Sequence, residues 1–162
     1  MSRAFTKETD GDRPDDLPEL PVSPHPNYVT AQGLAQLRAR LGQAEQHLAG
    51  IDKDAEGARQ DRDYIARDIR WLQARIANAI LVAGEQGKPE RVGFGTRVEL
   101  VDAEGQRTHY RIVGEDEADP EHGLISWVSP LARALLGARI GDSVLWKRPA
   151  GDLEVEVLEI DF

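Results

Sequence analysis

The chain has 162 residues, no cysteine and a formal net charge of −9. Forty per cent hydrophobic content fills one modest core rather than two large ones. The absence of cysteine excludes disulfides, thiol nucleophiles and cysteine-ligated zinc, and the acidic balance speaks against general binding to duplex DNA.

Residues 1–29 read as a disordered acidic, proline-rich tail, with Pro14, Pro18, Pro21, Pro24 and Pro26 and few large apolar side chains. Its first residues carry no apolar stretch, so no secretory signal is expected. The longest nearly unbroken apolar run, Ile80–Ala83, is far too short for a membrane span, and a cytoplasmic protein is expected.

Residues 30–82 read as a helical arm. Thr30 is a candidate N-cap. Leu34, Leu37, Leu41, Ala44 and Leu48 recur at heptad spacing, as do Ile65, Ile69, Leu72, Ile76 and Ala79. Between the two runs stands Gly50-Ile51-Asp52-Lys53-Asp54-Ala55-Glu56-Gly57. Two arrangements fit this pattern: one unbroken helix paired with a second chain, or a hairpin. The hairpin is preferred, because each glycine weakens a continuous helix by about 1 kcal/mol relative to alanine. A hairpin also buries its own seam, so a monomer is expected. Arg59, Arg62, Arg67, Arg70 and Arg75 place positive charge on the second helix, and most are expected to pair with Asp61, Asp63 and Asp68.

Residues 83–91 form a glycine-rich, proline-ended linker. Over residues 92–162 the apolar period becomes that of strands. Arg97–Val101 and Thr108–Val113 predict a hairpin around Asp102-Ala103-Glu104-Gly105. Leu124–Val128, Ser143–Lys147 and Leu153–Ile160 predict three further strands. Ser129 and Pro130 open a short helix that Gly137 ends. The predicted class is α+β: an antiparallel helical coiled-coil hairpin, then a small antiparallel sheet with one short helix.

Several motifs of the second half occur in the order found in the Gre transcript-cleavage factors. Val92-Gly93-Phe94-Gly95-Thr96-Arg97-Val98 resembles the opening of that family's C-terminal domain. Tyr110 to Asp119 resembles its signature strand and acidic turn, and Ser129 to Gly137 its second signature. Val29-Thr30-Ala31-Gln32-Gly33-Leu34 is similar to the start of the family's arm, and Asn78-Ala79 to its end. The resemblance spans roughly residues 28–162. It implies an FKBP-like domain that holds the rim of the secondary channel of bacterial RNA polymerase, with the arm directed at the active centre.

That resemblance also implies the site residues. Ser129, Pro130 and Leu131 would meet the largest polymerase subunit. Read from its charges, Glu115-Asp116-Glu117 is a solvated acidic turn, or Glu115 and Asp116 steer the domain toward basic polymerase residues. Asp52, Asp54 and Glu56 at the arm tip would help hold a magnesium ion of the polymerase active centre, the protein having no cofactor of its own. The family tip runs Gly-Asp, two residues, Glu-Asn, a further acid and a tyrosine, so the match here is in composition and not in order. Asp52 or Asp54 acting only as a helix cap is the competing reading. The resemblance further implies that cleavage factors carry arms longer by roughly two turns, about 11 Å. A short-armed, non-cleaving competitor similar to the regulator of nucleoside diphosphate kinase is therefore an alternative. A prolyl isomerase is an alternative of another class, suggested by the FKBP-like fold and by Phe94, Tyr110, Trp127, Trp146 and Phe162. His25, His47, His109 and His122 show no metal-ligand spacing.

Overall fold

A computed structural model describes residues 17–84 and 87–162. Thr30 opens the first helix, α1 (Ala31–Gly50), from an extended backbone, and its hydroxyl accepts the Gly33 N–H at 2.9 Å. A second helix of equal length, α2 (Ala58–Ala77), returns along it. Leu37 and Leu72 are buried in the seam, flanked by Leu34, Leu41, Ala44, Trp71 and Ile76. The heptad leucines thus meet their partners within one chain, and the unbroken rod is excluded.

Ala79, read as the last seam residue, instead begins a strand. The helix stops at Ala77, and β2 (Ala79–Leu81) pairs in parallel with β1 (Asn27–Val29). The pairing joins the chain entering the arm to the chain leaving it. Val82 N–H extends it to the Val29 carbonyl at 3.0 Å.

The C-terminal unit is a five-stranded sheet in the order β5-β4-β3-β7-β6, formed by β3 (Arg97–Asp102), β4 (Arg107–Val113), β5 (Leu124–Ser126), β6 (Ser143–Trp146) and β7 (Leu153–Asp161). The predicted turn between β3 and β4 is present. Asp102 Oδ1 accepts the N–H groups of Glu104 and Gln106 at 3.0 and 2.8 Å, and Gly105 takes a left-handed φ of 78°. The short helix α3 (Pro130–Leu135) packs Leu131, Ala132 and Leu135 onto Val98, Leu100, Ile112, Val155, Val157 and Ile160. Strict alternation along β7 would turn Glu159 inward after Val155 and Val157. A register shift opposite Glu99 and Leu100 rephases the strand, so that Ile160 faces the core instead.

The sheet is mixed, which corrects the antiparallel prediction. β5 runs parallel to β4, with Arg111 opposite Leu124. A parallel neighbour requires the chain to travel back before it pairs. Residues 114–123 make that return through the acidic turn and a 3₁₀ turn at Pro120–His122.

The second correction concerns the tail. Residues 1–16 lie outside the described residues, but residues 17–29 lie along the arm and its base. Glu19 takes two hydrogen bonds from the Arg70 guanidinium, at 2.5 and 3.0 Å. That pairing holds the Glu19 carboxyl below its ordinary pKa, partly opposed by burial, and raises that of Arg70. The Trp71 indole N–H donates to the Pro21 carbonyl at 3.1 Å. These contacts supply what the low apolar content of the segment does not.

Candidate functional site

Three places hold the residues singled out by sequence: the arm tip, the joint at the arm base, and the turn that opens α3.

At the tip, α1 ends at Gly50 and Gly57 opens α2 from a left-handed φ of 79°. No side chain caps α2. Asp52 Oδ1 accepts the Asp54 N–H at 3.0 Å, so Asp52 shapes the turn rather than the helix end. The helix-cap reading of Asp52 and Asp54 does not hold. Both aspartates and Glu56 are exposed. Carboxylate oxygens are the donors magnesium prefers, and these could enter a shell that other groups complete. Among the described residues, no cluster of three or more acids or histidines converges to hold an ion unaided.

The joint is the most heavily bonded polar site. Arg75 is only 2% exposed, although it stands on a helix of an arm. Its Nε donates to Asp116 Oδ2 at 2.6 Å, and its Nη2 donates to Asn27 Oδ1 at 2.7 Å. Glu115 Oε2 lies 3.9 Å from the same guanidinium, which sits 5.9 Å from the Trp71 ring. Asn27 returns a hydrogen bond to the Arg75 carbonyl at 2.7 Å. Ser23 donates to Glu115 Oε1 at 3.0 Å. Thr30 donates to Glu117 Oε2 at 2.5 Å while its oxygen caps α1. One guanidinium therefore gathers β1, α2 and the acidic turn.

Two glycines permit this approach. A Cβ on Gly33 would stand 2.6 Å from Glu117 Oε2, and one on Gly114 would collide with the Tyr28 carbonyl oxygen. The second obstacle is backbone and cannot rotate away. Gly114→Ala is expected to cost about 1–2 kcal/mol in urea unfolding, the lower part of the overpacking range. A loss below measurement error would show that the joint has slack.

The predicted docking residues separate. Ser129 Oγ accepts the Ala132 N–H at 3.3 Å and caps α3. Leu131 is 3% exposed and belongs to the core. Pro130 is exposed, so of this turn it alone offers an apolar surface outward. Glu115 and Asp116, expected to steer a partner, contact Ser23 and Arg75 at the joint, with side chains 21% and 14% exposed. Of the arginines of α2, most of which are expected to pair with Asp61, Asp63 and Asp68, Arg67 approaches Asp68 at 3.4 Å, whereas Arg70 pairs with Glu19 and Arg75 with Asp116. Among the described residues, no helix is long and apolar enough to cross a membrane.

The sequence matches known proteins over most of its length. The family model for the C-terminal part of the transcription elongation factors GreA/GreB matches residues 86–162. Over 159 residues the chain is 35% identical to transcription elongation factor GreA of Trichlorobacter lovleyi, covering 98% of this chain and 96% of that protein. Over 151 residues it is 36% identical to transcription elongation factor GreB of Pseudomonas aeruginosa, covering 83% and 89% respectively. Among solved structures, GreA factor homolog 1 of Thermus thermophilus is 29% identical with a TM-score of 0.42, over 85% of this chain and 100% of that one. The prolyl-isomerase alternative gains no support from these matches.

Proposed function

The chain belongs to the GreA/GreB family of transcription elongation factors, and from that premise we propose that it is a cytoplasmic accessory factor of bacterial RNA polymerase. In this reading the FKBP-like C-terminal unit grips the rim of the secondary channel, and the arm enters it. The observation that carries the reading is a self-paired helical arm with an acidic tip, joined through Arg75 to a sheet domain that offers Pro130 at an exposed turn.

The chemistry belongs to the polymerase. With the polymerase magnesium in place, Asp52, Asp54 and Glu56 would offer it carboxylate oxygens and help orient the water that hydrolyses backtracked RNA. RNA cleavage in stalled, backtracked complexes tests this directly. The wild type is expected to accelerate cleavage, and Asp52→Ala/Asp54→Ala/Glu56→Ala to lower the stimulated rate by about tenfold, roughly 1.4 kcal/mol of barrier.

A second reading follows from the arm length. Each helix has 20 residues, or about 30 Å. A magnesium ligand must come within about 2.1 Å of its ion, and a short arm then occupies the channel without reaching the metal. Binding without acceleration selects that competitor and removes the metal role. If the purified protein does not bind polymerase, both readings fail.

A further inference from the structure

Residues 17–26 adopt neither helix nor strand, yet they bind both halves of the molecule. Toward the arm, Glu19 holds Arg70 and the Pro21 carbonyl holds the Trp71 indole. Leu20 is half-buried and shares a groove with Trp71, Leu72 and Arg40. Toward the domain, Ser23 holds Glu115, and the His25 ring meets Trp127 edge-on at 5.9 Å. Tyr28 continues this contact, with ring centres 5.1 Å from Trp127 and 6.0 Å from Phe94. The segment is thus anchored on α2 at one end and on the domain at the other. It leads into β1 and crosses the joint apart from the linker that carries the chain from the arm to the domain.

We infer that residues 17–26 are a brace that fixes the direction in which the arm leaves the domain. The proline content that marks the segment as a disordered tail suits this role. Pro18, Pro21, Pro24 and Pro26 stiffen the chain before it docks, so little conformational freedom is lost on ordering. Proline also lacks a backbone N–H, so a segment with no sheet or helix around it leaves fewer donors unpaired. The leverage is large. A tilt of about 10° at the base displaces the tip of a roughly 30 Å arm by about 5 Å. That exceeds twice the metal–ligand distance of about 2.1 Å. The brace is a positioning element, and its value to polymerase rests on the function proposed above.

The native chain has no cysteine, so Gln46→Cys and Ala103→Cys supply the sole labelling sites, one on the arm and one in the β3–β4 turn. Both positions are exposed. Spin-label distances between them are expected to form one narrow distribution. Replacing residues 17–25 by glycine and serine at equal length is expected to widen it about twofold, because such a segment behaves as a flexible coil. Glu19→Arg should widen it in part, and Glu19→Arg/Arg70→Glu should narrow it again. Recovery in the double variant separates bracing from a general loss of fold. An unchanged width in the glycine–serine chain overturns the brace, as does a charge reversal that shows no recovery. Polymerase takes no part in the measurement. A chain that fails to bind polymerase removes the functional reading and leaves the brace standing, and an unchanged width does the reverse.

Discussion

Arg75→Ala is expected to destabilise the protein by about 3–5 kcal/mol, the range for removing one partner of a buried ion pair. The cause is what remains. Asp116 Oδ2 loses a donor at 2.6 Å, Asn27 Oδ1 loses one at 2.7 Å, and Glu115 loses its nearest cation. Asp116 is 14% exposed in its side chain, so water compensates it only in part. At about 2–4 °C per kcal/mol for a chain of this size, the melting temperature should fall by roughly 10 °C. Arg75→Lys is not expected to rescue, because one ammonium cannot reproduce two donors set at a fixed angle. Urea unfolding with a double-mutant cycle against Asp116→Ala measures the coupling. A loss under about 1 kcal/mol would place the pair in the class of surface bridges and dissolve the joint as described.

The second large effect concerns the grip. Pro130→Asp is expected to weaken binding to RNA polymerase about 30-fold, roughly 2 kcal/mol, as for a hot-spot residue at an interface. It should not harm the fold. Pro130 is exposed at the first position of α3, where an acid is favoured by the helix dipole. Ser129→Ala behaves in the opposite sense, costing about 1 kcal/mol of stability through the lost cap and little affinity. Titration of labelled protein with core polymerase distinguishes the two. Equal affinity of Pro130→Asp and wild type would move the contact surface elsewhere on the domain.

Much of the architecture is legible in the sequence because it rests on local rules. The leucine and isoleucine heptads specify the hairpin, Thr30 and Ser129 announce their helices, and Asp102 with Gly105 sets the β3–β4 turn. What is not legible depends on distant partners. Asn27–Val29 and Ala79–Leu81 are too short to show a period, and each becomes a strand only because the hairpin brings the other alongside. The direction of β5 depends on what residues 114–123 do, and those residues turn back to build the joint. Arg75 looks like one of several arginines on a charged helix. Its position three residues after Leu72, beside the apolar seam, is the signal that it points inward. Glu115, Asp116 and Glu117 look like a solvated acidic turn, yet Glu117 is 6% exposed. Gly33 and Gly114 carry that information, but only the folded chain shows what they make room for. At the tip the acids themselves are legible, while their arrangement is not, because the Asp52 turn follows from how α1 stops.

The β1–β2 pair carries a consequence for how such proteins diversify. The arm departs and returns at a single footing, clasped by Asn27–Val29 and Ala79–Leu81. Matched whole-turn insertions on either side of Gly50–Gly57 would lengthen the probe and leave that footing untouched. Reach and anchorage are therefore separate variables, and selection can set the depth of the probe without rebuilding its mount.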